Sequence, residues 1–183
     1  GKTRVSISIA DVLMRNRWAK NILFLADRTA LVKQAARNYA KLLPSATTCI
    51  LNEDGTPDMN ARIMFSTYQT MIKKIDSESK DFSIGRFDLI FIDEAPRSVY
   101  GKYTAIFDYF DSLIVGLTAT PRDQVEKNTF DLFNMDPQET FAYELREAVD
   151  DKFLVEPKVF NKGTLILREG TTTSVLRRRS RWR

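Results

Sequence analysis

Residues 87–96, FDLIFIDEAP, join a strongly apolar run to two adjacent carboxylates. The run 89–92 is apolar on both faces of a strand and too short for a helix, which is typical of a central strand in a sheet covered on both sides. Asp93 and Glu94 follow directly, where the carboxyl end of such a strand meets the ligand-binding edge of an open α/β sheet. An acidic pair here is also common in ordinary turns, so this stretch alone leaves a functional site and a solvated strand end equally open.

Two adjacent acids at a strand end suit the chemistry of phosphoryl transfer. One carboxylate can hold Mg²⁺, which takes oxygen ligands and completes its shell with phosphates and water, while the other orients a water molecule for attack. Such chemistry also needs a phosphate-binding element, and the chain begins with a candidate. Gly1, Lys2 and Thr3 match the second half of a phosphate loop, in which backbone N–H groups and lysine bind phosphates and the threonine hydroxyl reaches Mg²⁺.

A third motif follows the next predicted strand, where residues 116–121 read GLTATP. With GKT at 1–3 and DEAP at 93–96, the sequence resembles the first RecA-like domain of a helicase superfamily 2 motor over residues 1–158. GKT stands in the place of motif I, DEAP in that of the family's DEAH, and TAT in that of motif III. The flanking segments are most similar to the motor subunit of type I restriction enzymes: DEAPRSVYGKY, IVGLTATPRD and YELREAVDDKFLVEPKV.

The resemblance implies ATP and Mg²⁺ as ligands and suggests a role for each matching residue. Gly1, Lys2 and Thr3 are expected to bind the nucleotide, with Lys2 on its β and γ phosphates. Thr3 and Asp93 are expected to hold Mg²⁺. Asp93 and Glu94 are the expected catalytic residues, and Glu94 orients the attacking water.

Further positions are implied for coupling and for nucleic-acid binding. The motif III residues Thr118, Ala119 and Thr120 are expected to sense the state of the nearby acids through hydrogen bonds. Residues after two other predicted strands are expected to contact the nucleic-acid backbone: Arg28, Thr29, Thr67, Tyr68 and Gln69. Without the resemblance, the same residues would be helix caps with a solvated charge, and the motif III threonines would cap a turn.

Two departures from the family pattern bear on activity. Pro96 stands where the family has histidine, and proline offers neither a side-chain hydrogen bond nor a backbone N–H. In addition, the strand and the glycine-rich half of the loop that precede GKT in the family are expected to be missing from this chain. Both departures favour an alternative from another class, a catalytically silent nucleic-acid-binding or scaffold domain. An unrelated P-loop ATPase is a third interpretation, which the pairing of DEAP with TATP disfavours.

The composition is that of one ordinary globular domain, with 183 residues, 43% of them hydrophobic and 28% charged. The sequence contains no histidine, which excludes histidine ligands, histidine bases and the usual pH switch. The single cysteine, Cys49, cannot form an internal disulfide and is expected in the core. With no signal peptide and no long apolar span, the sequence predicts a cytoplasmic protein that does not enter a membrane.

The net charge of +4 does not describe the domain. Five arginines lie in a terminal stretch without acids, TTTSVLRRRSRWR, so the rest of the chain is close to neutral. This stretch is expected to be a disordered end, with a nucleic-acid-binding arm as the less favoured interpretation. The predicted organisation is therefore a motor domain over 1–158, followed by an exit segment and a basic tail over 159–183.

Apolar strand-like runs alternate along the chain with helical patterns. Strands are predicted at 21–26, 48–51, 62–66, 89–92 and 113–117. The alternation predicts a three-layer α/β fold with a mainly parallel sheet and helices on both faces, as in RecA-like P-loop NTPases. Beyond Pro121 the pattern predicts a helix that starts with a capping box at Asp123 and Glu126. A second apolar stripe, expected to face the core, follows at Phe141, Leu145, Ala148 and Val149.

The resemblance thus predicts the ATP-binding half of a DNA-dependent ATPase or translocase. The expected partners are double-stranded DNA, a second RecA-like domain of the same parent chain, and the methylase and specificity subunits of a restriction complex. The parent protein is expected to be an ATP hydrolase of a restriction system. The isolated chain is expected to be inactive, because half of the phosphate loop and the arginine finger of the second domain are missing.

Overall fold

The run around Phe91 is the middle of a parallel sheet, as its apolar pattern predicts. In a computed structural model the chain is described over residues 1–52, 56–77, 81–93, 103–118, 123–124, 127–128, 136 and 140–158. The strands are β1 Ile22–Ala26, β2 Thr48–Ile50, β3 Ile63–Thr67, β4 Leu89–Asp93, β5 Leu113–Leu117, β6 Asp123–Gln124 and β7 Lys127–Asn128. The helices are α1 Lys2–Arg15, α2 Thr29–Leu42, α3 Tyr68–Asp76, α4 Thr104–Tyr109 and α5 Leu145–Asp150.

Five strands form one sheet in the order β2-β3-β1-β4-β5, and all of its pairings are parallel. Its two central strands, β1 and β4, are almost wholly buried, which explains why their sequences are apolar at every position rather than at alternate ones. In the sheet, β2 and β3 lie on one side of β1, and β4 and β5 lie on its other side. The prediction of a mainly parallel α/β sheet is confirmed.

Side chains alternate between the two faces of the sheet and bury two separate clusters. On the first face, Ile7 of α1 and Tyr39 of α2 pack with Phe24, Phe65 and Phe91. The second face is covered by α3 and α4 and contains mostly aliphatic side chains: Leu23, Leu25, Met64, Met71, Ile75, Ile90, Ile92 and Ile106. Helices therefore cover both faces, which gives the predicted three layers.

One carboxylate fixes the amino-terminal edge of the sheet. Asp88, just before β4, accepts hydrogen bonds from the backbone N–H groups of Lys20 and Asn21, both at 2.8 Å from Oδ2. The turn that leads into β1 also contains Arg17, which has a positive φ of 60°. This contact sets the starting points of β1 and β4 relative to each other.

The chain beyond Gln124 differs from the predicted helices. Asp123–Gln124 and Lys127–Asn128 form a short antiparallel pair, so the helix predicted to begin with a capping box at Asp123 is wrong there. Acidic residues are also common beside tight turns, and the local pattern cannot separate the two cases. The apolar residues at 125, 130, 132 and 133, which would form the inner side of that predicted helix, lie outside the described part.

Two compact units are separated at Glu139 and Thr140. In the second, α5 begins at Leu145, and the stripe predicted to face the core is wrong at its start, because Phe141 is 80% exposed while Ala148 is buried. The predicted division into 1–158 and 159–183 stays a prediction, since 159–183 lie outside the described residues. Across the described ranges, no helix combines the length and apolar character that crossing a membrane requires.

Candidate functional site

The carboxyl ends of four strands lie in one row. The register aligns Thr67 with Ala26, Ala26 with Asp93, and Asp93 with Leu117. Because the strands are parallel, the residues that follow them project from the same edge, which is the edge used for ligands in open α/β sheets. The structure thus places Asp93 and Thr118 on adjacent strands at one edge. Glu94, Ala119 and Thr120 lie outside the described residues.

Asp93 is half-buried, and its Oδ1 atom is inaccessible to solvent. Strand alternation puts its side chain on the same face as Leu89 and Phe91, which belong to the cluster beneath α1 and α2. A buried carboxylate needs compensation from hydrogen bonds or positive charge. The side chain that is predicted to hold a metal ion therefore faces the helix that begins with the GKT motif.

The GKT residues form the start of α1. Gly1 is the N-cap residue and makes no side-chain cap, while Lys2 and Thr3 are half-buried in the first turn, which contains no acidic residue. The helix packs against α2 and β4. Only residues 16–21 connect α1 to β1, so a 14-residue helix that returns along the sheet has its amino terminus towards the carboxyl edge.

The chemistry of these groups is suited to a nucleotide with bound Mg²⁺. A helix amino terminus favours anions, and lysine supplies a positive charge for a phosphate. Within the described residues, no three acidic, histidine or cysteine side chains cluster as a complete metal site. Mg²⁺ is commonly held by one or two carboxylates and takes its other ligands from phosphates and water. Asp93 and the hydroxyl of Thr3 are the donors that this arrangement would use.

A second feature of the same edge is a cavity of about 370 Å³ beyond β1, β2 and β3. It is lined by Asp27, Arg28, Thr29, Val32, Ile50, Leu51, Asn52, Thr67, Gln69 and Thr70. Two helices, α2 and α3, begin at this cavity, and neither has an acidic residue in its first turn. The two helix amino termini and Arg28 bring positive charge to the cavity, and Asp27 brings one negative charge.

Four of the five residues predicted to contact nucleic acid line this cavity. Arg28 has a side chain that is 81% exposed and only a distant ion pair with Asp27, at 3.9 Å. Thr67 instead caps α3, because its hydroxyl accepts a hydrogen bond from Thr70 N at 3.2 Å. Thr29 and Gln69 are exposed at the rim.

Tyr68, the fifth residue, points into the core instead. It is 1% exposed, and its ring packs against Tyr103 with the centroids 5.4 Å apart. Burial raises the pKa of its hydroxyl, and the negative charges of Asp93 and Asp27 raise it further. Its ring therefore supports the sheet edge and does not line the cavity. Sequence reasoning did not identify Asn52 as a cavity residue.

The comparison with known families settles the class of the chain. The sequence profile named "Type III restriction enzyme, res subunit" matches residues 1–123. The chain belongs to this family. Among curated relatives, it is 35% identical over 165 residues to the EcoAI type I restriction enzyme endonuclease subunit of Escherichia coli, covering 87% of the chain and 20% of that relative.

A second relative, the EcoKI endonuclease subunit of Escherichia coli strain K12, is 28% identical over 181 residues, with 85% of the chain and 15% of that relative covered. The chain thus spans about a fifth or less of the length of these relatives. The prediction of a helicase superfamily 2 RecA-like domain close to the type I motor subunit is confirmed.

Solved structures show the same fold. The helicase domain of Pyrococcus furiosus Hef is similar with a TM-score of 0.61 and 24% identity, covering 74% of the chain and 31% of that structure. A nuclease-deletion mutant of the Type ISP restriction-modification enzyme LlaGI, in complex with a DNA substrate mimic, has a TM-score of 0.60 and 19% identity, covering 83% of the chain and 18% of that structure. At these identities the likeness supports the fold alone.

Proposed function

We propose that the chain is the nucleotide-binding half of an ATP-driven DNA translocase. The observation that carries the proposal is the placement of Asp93, which ends β4 on the sheet face covered by the helix that begins with Gly1, Lys2 and Thr3. A strand-end carboxylate and a helix amino terminus with lysine and threonine are the protein groups that phosphoryl transfer requires. Family membership supports the class, and the assignment of a nucleotide to this site is our proposal.

In the proposed mechanism each residue does one task. Lys2 and the first-turn amides of α1 bind the β and γ phosphates. Thr3 and Asp93 would hold Mg²⁺, which would supply positive charge to the phosphates. Glu94 accepts a hydrogen bond from the attacking water and orients it in line with the γ phosphate.

The proposed DNA contact is the cavity beyond β1 and β3. Arg28 and the first-turn amides of α2 and α3 would bind backbone phosphates, which position a duplex without reading its sequence. Thr118 follows β5 on the same edge as Asp93, and together with Ala119 and Thr120 it would transmit the state of the nucleotide. A sequence-independent contact is what a motor that moves along DNA needs.

The proposed assembly follows the relatives. The curated relatives are subunits of type I restriction enzymes, and the chain covers a fifth or less of each. We therefore assign the remaining parts of the motor to partners: a second RecA-like domain that supplies an arginine finger, and methylase and specificity subunits. Double-stranded DNA is the proposed substrate, and cytoplasm is the expected compartment.

The competing function is a catalytically silent DNA-binding domain, and Pro96 is the observation that favours it. A proline at this position removes the hydrogen bond through which the family's histidine would connect the acids to motif III. The two functions differ in whether nucleotide binding depends on Mg²⁺ and on Asp93. A silent domain would keep its DNA affinity through the cavity and would not need either.

The experiment is a titration of ATP by calorimetry into the full-length protein that carries this chain, with Mg²⁺ and with EDTA. Asp93→Asn should weaken Mg²⁺·ATP binding at least about tenfold and leave binding in EDTA almost unchanged, because only the metal contact is lost. Asp108→Asn, which removes an exposed acid of α4, is the matched control and should have no effect. Equal affinities with and without Mg²⁺ in the wild-type protein would support the silent domain.

A further inference from the structure

The helices α1 and α2 and the segments around them form a strongly basic surface. Residues 1–47 contain nine lysines and arginines and two acidic residues, Asp11 and Asp27. Eight of the nine basic residues are exposed. The sequence from 48 to 158 has the opposite balance, with 12 basic and 21 acidic residues. Positive charge is therefore concentrated on the layer that covers one face of the sheet.

The basic side chains of α2 are not neutralised by neighbouring acids. Lys33, Arg37 and Lys41 recur every four residues, so they lie along one side of the helix. The helix has no acidic residue, and none of the three forms an ion pair with a described residue. On α1, in contrast, Asp11 is paired with Arg15 at 2.8 Å. The surface of α2 therefore favours a partner that carries negative charge.

An open groove lies between α1 and the end of α2. It has a volume of about 470 Å³ and is lined by Arg4, Ile7, Ser8, Asp11, Leu42 and Leu43. Two of its polar groups are already engaged, because Ser8 Oγ donates a hydrogen bond to the Arg4 carbonyl at 3.1 Å and Asp11 binds Arg15. A small-molecule site would instead gather polar groups that are free to bind the ligand. The groove thus offers mainly apolar surface, with the charge of Arg4 at its side.

Exposed apolar side chains extend the groove across α1. Val5 and Val12 are 51% and 48% exposed, and both are neighbours of Ser8 on the helix surface, three and four residues away. Leu42, on the other side of the groove, is also 48% exposed. A contiguous apolar patch of this kind, bordered by charged residues, is typical of an interaction surface. A phosphate backbone has no apolar surface to cover these side chains, whereas a protein does, so a protein partner is favoured over nucleic acid.

We propose that the groove between α1 and α2 is a docking surface for an acidic amphipathic helix of a protein partner. The apolar stripe of that helix packs against Val5, Val12 and Leu42, and its acidic residues face Arg4 and the basic side of α2. In such helix-in-groove recognition, apolar anchors supply affinity and charges set orientation and the choice of partner. None of these side chains is assigned to nucleotide or DNA, so the inference does not rest on the proposed function.

The test is a titration of labelled peptides with the 183-residue chain, followed by fluorescence anisotropy. The probe is a helical peptide of about five turns, with leucines at i, i+3, i+4 and i+7 and glutamates beside them. Two control peptides keep the helix and replace either the leucines by alanine or the glutamates by lysine. The probe should bind at least about tenfold more tightly than either control, because it alone carries both the apolar stripe and the acidic residues.

Variants of the chain locate the site of binding. Leu42→Asp should weaken binding of the probe at least about tenfold, and Arg4→Glu should weaken it about threefold to tenfold and reduce its dependence on salt. Ile84→Asp is the matched control, because it places the same charge at an apolar side chain that is 62% exposed and lies outside the groove. All three positions are exposed, so the far-UV circular dichroism of each variant should match that of the wild-type chain.

Equal binding of the probe and of either control peptide would overturn the proposal, as would no binding of the probe or an equal loss in Ile84→Asp. If a short DNA duplex loses affinity in Leu42→Asp and Arg4→Glu as the probe does, the surface binds nucleic acid and the proposal is wrong. If sedimentation velocity shows a dimer for the wild-type chain and a monomer for Leu42→Asp, the occupant is a second copy of the chain, which also contradicts the proposal.

Discussion

The side chain of Asp88 stabilises the amino-terminal edge of the sheet. It accepts two backbone hydrogen bonds at the entrance to β1, and both are made to a charged oxygen. Asp88→Ala should lower the free energy of unfolding by about 1–3 kcal/mol, since hydrogen bonds to charged groups are stronger than neutral ones. Asp88→Asn keeps an acceptor and should cost less. Urea denaturation measures both, and equal losses would mean that charge and acceptor are irrelevant there.

Because Tyr68 is buried, we expect the free energy of unfolding to decrease at alkaline pH. Burial, Asp93 and Asp27 raise the pKa of Tyr68 in the folded chain above its ordinary value, so the folded state holds the proton more tightly than the unfolded state. The stabilising contribution is complete below about pH 10 and is lost as the pH rises above that value, by up to about 1.4 kcal/mol per pH unit. Denaturation curves between neutral pH and pH 11 should fall less steeply for Tyr68→Phe. Parallel curves would contradict the burial of the hydroxyl.

The sequence predicts the positions of some side chains at the sheet edge but not their directions. The motifs predicted that Asp93, Thr118 and Arg28 lie at the carboxyl edge of the sheet, because each follows an apolar run typical of a strand. The side-chain direction of Tyr68 was not accessible, since it depends on how the first turn of α3 packs on Tyr103. Whether Tyr68 or its neighbours contact nucleic acid stays a prediction.

Among the elements, the five strands of the main sheet were predicted to within a residue or two of their ends. The inner strands are buried on both faces, and this burial requires apolar side chains at consecutive positions of the sequence. The helix predicted to begin at Asp123 was wrong for the opposite reason. Its strands are only two residues long, and such short pairs carry no periodic signal that competes with a capping-box pattern.

The prediction that the stripe beginning at Phe141 faces the core was wrong, because amphipathic spacing does not determine which element covers the apolar side chains. Phe141, Phe153 and Val155 are exposed in the second compact unit, and α5 is six residues long. A periodic pattern predicts an apolar face, but the burial of that face depends on neighbours outside the pattern. Ala148 is the stripe residue that is fully buried.

The cavity at the amino termini of α2 and α3 leads to a prediction about DNA binding. Arg28 lies at the cavity where both helices begin. Arg28→Ala should weaken binding of a labelled duplex, measured by fluorescence anisotropy, by a similar factor for any sequence. The slope of log affinity against log salt should fall by about one, as expected for one lost phosphate contact.

Arg37→Ala is the matched control for this prediction. Arg37 is exposed on the same helix but does not line the cavity, so its loss removes the same charge at a different place. A similar drop in the salt slope for both variants would show that DNA responds to overall charge. Unchanged binding in Arg28→Ala would remove the cavity from the proposed DNA path.

For the whole molecule, the central question is whether the edge that carries Asp93 is a working nucleotide site. The fold and the family support this, and the chain spans a fifth or less of its curated relatives. The isolated chain is therefore expected to hydrolyse ATP no faster than its own Glu94→Gln variant. The parts that raise the rate are proposed to lie on a second domain, and an arginine finger alone can contribute about 10³ to 10⁵.

The most direct measurement is DNA-stimulated ATP hydrolysis by the full-length protein that carries this chain, compared with Glu94→Gln and with Asp108→Asn as control. The account predicts a rate that rises with double-stranded DNA, falls at least about a hundredfold in Glu94→Gln, and is unchanged in Asp108→Asn. A wild-type protein that binds DNA but shows no hydrolysis, or one whose hydrolysis survives Glu94→Gln, would contradict it.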